Sequence, residues 1–425
     1  MLNVRQKLAP MLLATALGAA ATLPAQADTL RNGFSVERLA RVDALLDSYV
    51  EDGQLAGIVA LVLRDGKPVY ERAVGWADKE AGRKMTLDTE FRIASQSKAL
   101  TSVAVLQLME EGRLTLNDKA GKWIPTFANT TVAVKNDDGN GYSIVPAKRA
   151  ILIKDLLTHT AGIDYGTRPD LAALYAAKGL GPAAGYGWYF ADKDEPVCTL
   201  MERLGTLPFV AQPGEAFVYG YNTDVLGCIV EKASGVPLDE FIRTHITAPL
   251  GMKNTYFFVP QQERARLAAV YGSDEHGKAV RAPDGARGQG SYVDGPRRSF
   301  AGGAGLVSTA RDYATFLEAL RNGGALGKVR ILSPHAVKLM TTSQIADGLK
   351  TPRGLGFGYG FETTDRYGVP GMESVGSFGW GGAYGTYYRV DPAERLVTVM
   401  MIQQLPNSTD FTEKFKASVY QALLN

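Results

Sequence analysis

The sequence predicts an α/β (α+β) protein in which both ends of the chain form one domain, an antiparallel sheet flanked by helices, with a mainly helical domain inserted between them. Near the start, the apolar runs 57–63 and 68–74 are joined by a turn that contains Asp65-Gly66, which is typical of a β-hairpin. Near the end, further strand-like runs favour an antiparallel meander at 374–380, 385–391 and 395–403.

The chain between these two groups of strands mixes helical patterns with loops rich in glycine and proline, such as 179–187. The predicted boundaries are 28–114 with 326–425 for the sheet domain and 115–325 for the inserted domain.

Helices next to these strands are predicted from apolar residues at helical spacing. One covers 36–51, with Leu39, Val42 and Leu46 on its apolar face. A second begins at Ser95 and ends at Gly112, and a third covers 410–424.

Residues 1–27 contain the three parts of a signal peptide in order. Arg5 and Lys7 give a basic start, 11–17 is a short apolar run, and Ala25 and Ala27 form the small-x-small pattern of a cleavage site. The alternatives are a membrane anchor or a disordered tail. We expect cleavage after Ala27 and a periplasmic or secreted protein.

The charge balance argues against a polyanionic partner. The chain has 46 basic and 44 acidic residues, and loss of Arg5 and Lys7 with the signal peptide would leave 44 of each. A neutral surface is a poor match for nucleic acid or anionic lipid. No later stretch approaches about 18 uninterrupted apolar residues, so we expect no stable membrane insertion after cleavage.

The cysteines and histidines do not suggest a metal site. Cys198 and Cys228 are the only cysteines, which is too few for a disulfide framework, and whether they pair is left open. Cys228 lies in the apolar run 225–230, which favours a packed, inert thiol. The four histidines are far apart in sequence, so neither a metal nor an organic cofactor is expected.

Ser95 and Lys98 are the first candidates for chemistry. A serine hydroxyl is a weak nucleophile until a base takes its proton, and residues three apart on a helix share one face. The competing interpretation makes Ser95 a helix N-cap and Lys98 a solvated side chain. Lys98 precedes the uncharged, largely apolar run 99–106, however, and a lysine entering a buried helix favours a paired or functional role.

Two later segments add to this pattern. Tyr219 lies between Pro213-Gly214 and the helix-like run 224–227, and the stretch 379–385 is rich in glycine within a strand region. Glycine inside a strand often marks a close approach to the backbone.

With these segments, the sequence resembles class C β-lactamases, penicillin-binding D,D-peptidases and, most of all, family VIII carboxylesterases. The resemblance covers nearly all of the chain after residue 27 and includes 156–162, 249–252 and 302–310. It implies a β-lactamase-like fold and a catalytic set of Ser95 as nucleophile, Lys98 and Tyr219. It also implies an oxyanion hole formed by the backbone N–H groups of Ser95 and Ala383.

Departures from the β-lactamase pattern shift the expected substrate. Tyr221 stands where lactamases usually have Asn, and Trp380 begins the motif Trp380-Gly381-Gly382 where they have Lys. A lysine there supplies positive charge for a substrate carboxylate, whereas an indole suits a neutral group better. We therefore expect a small-molecule ester, favouring short acyl chains, bound by Trp380, Gly381, Gly382 and Tyr221.

Two rival functions stay open. One is a β-lactamase or D,D-peptidase acting on cephalosporins or peptidoglycan stems, as a main or a side activity. The other is a catalytically silent ligand-binding relative, although such a protein need not keep Ser95, Lys98 and Tyr219 together.

A different hydrolase design finds little support in the sequence. No serine lies in a Gly-x-Ser-x-Gly elbow. His159 ends a helix among hydroxyl residues, which favours a structural hydrogen bond over catalysis.

Overall fold

The structure is a computed structural model that describes residues 29–137, 141–180, 193–285 and 287–425. The predicted signal peptide and 181–187 of the predicted loop lie outside the described residues. The helices are α1 Val36–Glu51, α2 Ser97–Glu110, α3 Ala120–Trp123, α4 Ile153–Leu157, α5 Ala172–Ala177, α6 Val197–Leu204, α7 Asn222–Ser234, α8 Leu238–Ile242, α9 Ala310–Arg321, α10 Pro334–Thr341 and α11 Phe411–Tyr420. Short 3₁₀ turns lie at Ala94–Gln96, Pro125–Asn129 and Gln261–Arg266, and a π turn at Arg243–Thr247.

Most of the longer strands belong to the two ends of the chain. The strands are β1 Leu30–Arg31, β2 Phe34–Ser35, β3 Gly57–Arg64, β4 Lys67–Asp78, β5 Arg83–Lys84, β6 Phe91–Arg92, β7 Thr131–Lys135, β8 Tyr142–Pro146, β9 Pro208–Phe209, β10 Tyr271–Ser273, β11 Ala279–Arg281, β12 Val307–Ser308, β13 Ala325–Leu326, β14 Val329–Arg330, β15 Gly356–Phe357, β16 Glu362–Thr363, β17 Phe378–Gly381, β18 Tyr387–Asp391 and β19 Leu396–Met401.

One eight-stranded antiparallel sheet joins these two ends. Its order is β15-β16-β17-β18-β19-β3-β4-β5, so the last long strand pairs with the first. The hairpin turn between β3 and β4 has Asp65 and Gly66 at positive φ, 52° and 70°, which is the conformation that Asp-Gly favours in tight hairpins. The predicted α/β class with an antiparallel sheet and flanking helices is confirmed.

Alternate residues of β3 face two different layers, as the period of a strand requires. Ile58 and Val62 pack in a cluster with α1 and α11, whereas Val59 and Leu61 join the larger core on the other face. Helix α9 also packs on β3 and β19 from that face, although it falls in the segment predicted as the inserted domain. The predicted domain boundaries themselves stay a prediction.

Helix α2 runs through the larger core and packs against α7. Every residue from Ser97 to Leu108 is buried, which explains why the run after Lys98 carries no charge. A lysine at the start of this helix therefore points into the protein interior.

A disulfide between Cys198 and Cys228 joins helices α6 and α7, and the Cα atoms of the two cysteines are 4.9 Å apart. The prediction of an inert thiol at Cys228 was wrong. Its apolar surroundings correctly indicated burial, but the thirty-residue spacing gave no sign that α6 packs alongside α7. Within the described residues, no helix is both long and apolar enough to cross a bilayer.

Candidate active site

Ser95 lies on a tight turn between β6 and α2. Ala94, just before it, has φ of 42°, a conformation that costs a non-glycine residue energy and is found mostly where function requires it. The turn is held on both sides because Ile93 N–H donates to the Leu306 carbonyl and Leu306 N–H donates to Ser97 Oγ. Ser95 itself stays partly exposed and borders a cavity.

The N-cap interpretation of Ser95 was wrong. The residue preceding α2 is Gln96, and no side chain caps the helix. Lys98 is only 2% exposed, so it is not a solvated side chain.

Lys98 Nζ makes three hydrogen bonds, and one of them joins it to the serine. Nζ lies 3.2 Å from Ser95 Oγ, 3.1 Å from the Tyr165 hydroxyl and 2.7 Å from the Gly303 carbonyl oxygen. These three contacts fix Nζ within reach of the Ser95 proton. This is the nucleophile–base contact that acyl-transfer chemistry requires.

Tyr219, just before α7, places its ring against the same amine. Lys98 Nζ is 4.7 Å from the centre of the Tyr219 ring, and the Trp380 indole N–H donates to the Tyr219 hydroxyl at 3.0 Å. The indole therefore holds the phenol oxygen in place. The sequence indicated both residues but not this contact between them.

The glycine-rich segment after β17 lies directly against the serine turn. A Cβ atom on Gly382 would lie 2.5 Å from the Ile93 carbonyl oxygen and 2.3 Å from Thr386 Oγ1, so only glycine allows this approach. The next residue, Ala383, borders the same cavity as Ser95. The two predicted oxyanion donors thus belong to segments that the structure brings together.

These residues border one cavity of about 580 Å³. Its lining is Ser95, Tyr165, Thr167, Tyr219, Pro352, Arg353, Glu362, Trp380, Gly381, Gly382, Ala383, Gly385, Thr386, Tyr387 and Thr412. A second cavity of about 620 Å³, next to Phe257 and Phe300, contains no such pairing of serine and amine. The chemistry therefore points to the cavity of Ser95, which is large enough for a small molecule.

Tyr221, predicted to bind substrate, does not reach this cavity. Its side chain is fully buried, and its hydroxyl donates to the Leu180 carbonyl at 2.8 Å. Its ring packs edge-on against Tyr165, with centroids 4.9 Å apart. The structure therefore corrects the prediction, and Tyr221 supports Tyr165 from behind.

Tyr165 is a site residue that sequence reasoning missed. Burial, reinforced by Tyr219 and Asp224 nearby, raises its pKa well above the usual value, so its phenol stays neutral. A neutral hydroxyl can accept the Lys98 hydrogen bond without taking the proton that catalysis must move. The one available signal was its position three residues after the segment 156–162.

His159 lies behind Tyr219 and does not border the cavity. Its ring is 1% exposed, its centroid is 4.6 Å from that of Tyr219, and its Nδ1 lies 3.0 Å from the Asn222 side-chain nitrogen. Burial and the nearby Lys98 lower its pKa well below the usual value, so the imidazole is neutral. This placement agrees with the structural role that the sequence favoured.

Asp224 is a second site residue missed by sequence reasoning, buried near the Lys98 amine. Its Oδ1 accepts a hydrogen bond from Gly303 N–H at 3.0 Å, and the Gly303 carbonyl oxygen accepts one from Lys98 Nζ. Burial raises the pKa of Asp224 to about 6, although Lys98 opposes the shift. Among the described residues, Asp224 Oδ2 has no hydrogen-bond partner.

We expect the Asp224 carboxylate to make folding stability fall as pH rises. Its folded pKa of about 6 exceeds the usual 3.8, so its stabilisation is present below pH 3.8 and is lost as pH rises through 6. This loss amounts to roughly 3 kcal/mol. Asp224→Asn removes the titration. Between pH 4 and pH 7, the free energy of unfolding measured in urea should therefore rise in the variant relative to the wild type by most of that amount.

Asp294→Asn, on a largely exposed carboxylate, is the matched control and should leave the pH difference unchanged. An Asp224→Asn variant that follows the wild-type pH dependence would show that Asp224 does not titrate as described.

Metal ligation has no candidate in the described part of the chain, where no three His, Cys, Asp or Glu side chains are grouped so that they could hold an ion.

The chain is similar to known proteins in both sequence and structure. A protein-family model described as Beta-lactamase matches residues 42–422. Esterase EstB of Burkholderia gladioli is 34% identical over 85% of this chain and 89% of its own length. A putative D-alanyl-D-alanine carboxypeptidase of Escherichia coli is 28% identical over 88% of this chain and 84% of its own. The solved structure of EstCE1, described as a hydrolase with promiscuous acyltransferase activity, superposes with a TM-score of 0.75 at 27% identity, covering 91% of this chain and 98% of that one.

Proposed function

The chain belongs to the β-lactamase family, and we propose that within this family it is a carboxylesterase that cleaves short-chain acyl esters through an acyl-enzyme on Ser95. Membership confirms the family resemblance drawn from the sequence motifs, and an esterase among the relatives supports a hydrolase acting on esters. The observation that carries the proposal is the 3.2 Å contact between Lys98 Nζ and Ser95 Oγ in a cavity bordered by Tyr219 and Trp380.

The proposed reaction has two halves. Ser95 Oγ attacks the ester carbonyl, and its proton passes to the Lys98–Tyr219 pair, which returns a proton to the leaving alcohol. The tetrahedral oxyanion is stabilised by the backbone N–H groups of Ser95 and Ala383, where one such donor contributes about 3–4 kcal/mol in other enzymes. Water then attacks the acyl-enzyme and its proton follows the same route, so the serine is regenerated without a cofactor.

A paired assay on the protein without residues 1–27 tests the proposal. The substrates are para-nitrophenyl butyrate and a chromogenic cephalosporin, each measured as kcat/KM. We expect turnover of the ester to dominate. Dominant cephalosporin turnover would favour a β-lactamase or D,D-peptidase, and no turnover of either would favour a silent relative.

The Trp380 side chain should set the balance between these substrates. Trp380→Lys places an ammonium where an indole N–H now meets Tyr219, so we expect lower ester turnover and a cephalosporin-to-ester ratio about 10-fold higher. Trp380→Phe keeps a ring but removes the N–H donor, and should lower both activities without changing their ratio. An unchanged ratio in Trp380→Lys would mean that Trp380 does not select substrate charge.

We propose further that the protein is exported and acts in the periplasm or outside the cell. The signal-peptide pattern in residues 1–27 supports this, and so does the Cys198–Cys228 disulfide, since disulfides persist mainly in oxidising compartments. Cell fractionation of the expressed full chain, with the N-terminus of the product sequenced, tests both export and cleavage after Ala27.

A further inference from the structure

The cavity of Ser95 contains a positive charge that the sequence motifs do not reveal. Arg353, in the loop before β15, lines the cavity, and its guanidinium carbon lies 5.6 Å from the centre of the Trp380 ring. The Arg353 side chain is 49% exposed, so it is open to a bound molecule. An arginine therefore stands beside the indole that replaces the lysine of β-lactamases.

Glu362 neutralises this arginine. The Glu362 side chain is 1% exposed. Glu362 lies on β16 opposite Gly379 of β17, and Gly379 precedes Trp380 in the sequence. Arg353 donates to both of its oxygens, through Nε at 3.2 Å to Oε1 and through Nη2 to Oε2. Two parallel hydrogen bonds of this kind fix the position of the guanidinium relative to the carboxylate, because the two groups match in shape.

The Glu362 carboxylate is fixed in turn by Thr351, whose hydroxyl donates to Oε1 at 2.8 Å. A buried carboxylate that keeps its arginine partner removes the net charge that would attract a substrate carboxylate. The third guanidinium nitrogen, Nη1, makes no hydrogen bond within the described residues. The pair, which lines the cavity, therefore offers an N–H donor without net charge.

We propose that Arg353, held by Glu362 and Trp380, determines specificity by binding a neutral oxygen acceptor of the substrate, such as a second ester carbonyl on the acyl chain. A carboxylate at that point is disfavoured because it approaches the Glu362 carboxylate as well as the guanidinium. This inference rests on the proposed esterase function and names the class of ester that the site takes.

The test compares three para-nitrophenyl esters of matched length. One carries a plain alkanoyl chain, one a dicarboxylic acid monomethyl ester and one the free dicarboxylic acid, and the set is made with succinic, glutaric and adipic acids. In the wild type we expect kcat/KM for the methyl ester to exceed that for the plain chain at one or more lengths, with the free acid lowest. In Arg353→Met, the ratio of methyl ester to plain ester should fall by about 10-fold, as expected when a charged hydrogen-bond donor is lost.

Glu362→Gln removes the negative charge that neutralises Arg353. The ratio of kcat/KM for the free acid to kcat/KM for the methyl ester should therefore rise by about 10-fold. The double variant with Arg353→Met should lose that gain, because no cation is left to bind the acid. Arg311→Met is the matched control, since Arg311 is similarly exposed and paired with Glu71 away from the cavity.

The outcomes separate the two proposals. If wild type hydrolyses none of the esters, the esterase function fails and this inference fails with it. If all esters are hydrolysed but Arg353→Met leaves every ratio unchanged, the esterase function stands and Arg353 is not a specificity residue. Arg353→Met decides this even if Glu362→Gln does not fold.

Discussion

Ser95→Ala should reduce ester hydrolysis by about 10⁴-fold or more while the protein stays folded. The Ser95 hydroxyl provides the oxygen that forms the acyl-enzyme, and it lies 3.2 Å from Lys98 Nζ. Among the described residues, the other hydroxyl bonded to Nζ is the neutral Tyr165 phenol. Ser95 is partly exposed and is not part of the hydrophobic core. The loss of its hydroxyl oxygen should therefore leave the free energy of unfolding nearly unchanged. The measurement is kcat/KM for para-nitrophenyl butyrate, with circular dichroism to check the fold.

Ser97→Ala is the matched control, since Ser97 lies between Ser95 and Lys98 in the sequence but is buried, with its Oγ accepting a hydrogen bond from Leu306 N–H. It should cost about 1 kcal/mol of stability and less than 10-fold in activity. Retention of more than a few per cent of activity in a folded Ser95→Ala variant would exclude Ser95 as the nucleophile.

Tyr219→Phe should lower kcat by about 10²-fold or more, the usual range for loss of a general acid or base. The variant keeps the ring that lies 4.7 Å from Lys98 Nζ but loses the oxygen that accepts the Trp380 hydrogen bond. Chemistry should suffer more than binding, so we expect the loss to appear in kcat rather than in KM. Steady-state kinetics on the butyrate ester measures both.

Tyr221→Phe is the control for this variant. It removes the hydroxyl bonded to Leu180 in the interior, so it should cost about 1 kcal/mol of stability and keep most of the activity. A larger loss of kcat in Tyr221→Phe than in Tyr219→Phe would show that Tyr221, and not Tyr219, is the catalytic tyrosine.

Local patterns predicted the long elements of this fold well. Helix α1 has the predicted bounds, and the Asp65-Gly66 hairpin and the final meander occur where alternation and turn residues placed them. The pairing of β19 with β3 joins segments more than 300 residues apart, and no local pattern specifies such a partner. The same limit explains the missed disulfide, because packing of α6 on α7 is a tertiary contact.

The candidate site was predictable where a residue belongs to a motif. Ser95, Lys98, Tyr219 and Trp380 were all indicated by the segments that carry the family resemblance, and the structure brings them together. Tyr165 and Asp224 were missed because they act through the burial and hydrogen bonds of other elements, which leave no fixed spacing in the sequence. Tyr221 was misplaced for the opposite reason: its position in a motif did not reveal that its hydroxyl turns toward Leu180.

The central claim is that Ser95 becomes acylated, and covalent trapping tests it most directly. A para-nitrophenyl alkylphosphonate reacts with an activated serine, forming a phosphorus–oxygen bond and releasing para-nitrophenol, and it cannot be turned over as an ester is. Peptide mass spectrometry then locates the adduct. We predict one adduct on Ser95, loss of ester hydrolysis in proportion to labelling, and no adduct on Ser95→Ala. An adduct on another residue that abolishes activity, or full activity with Ser95 labelled, would contradict the mechanism.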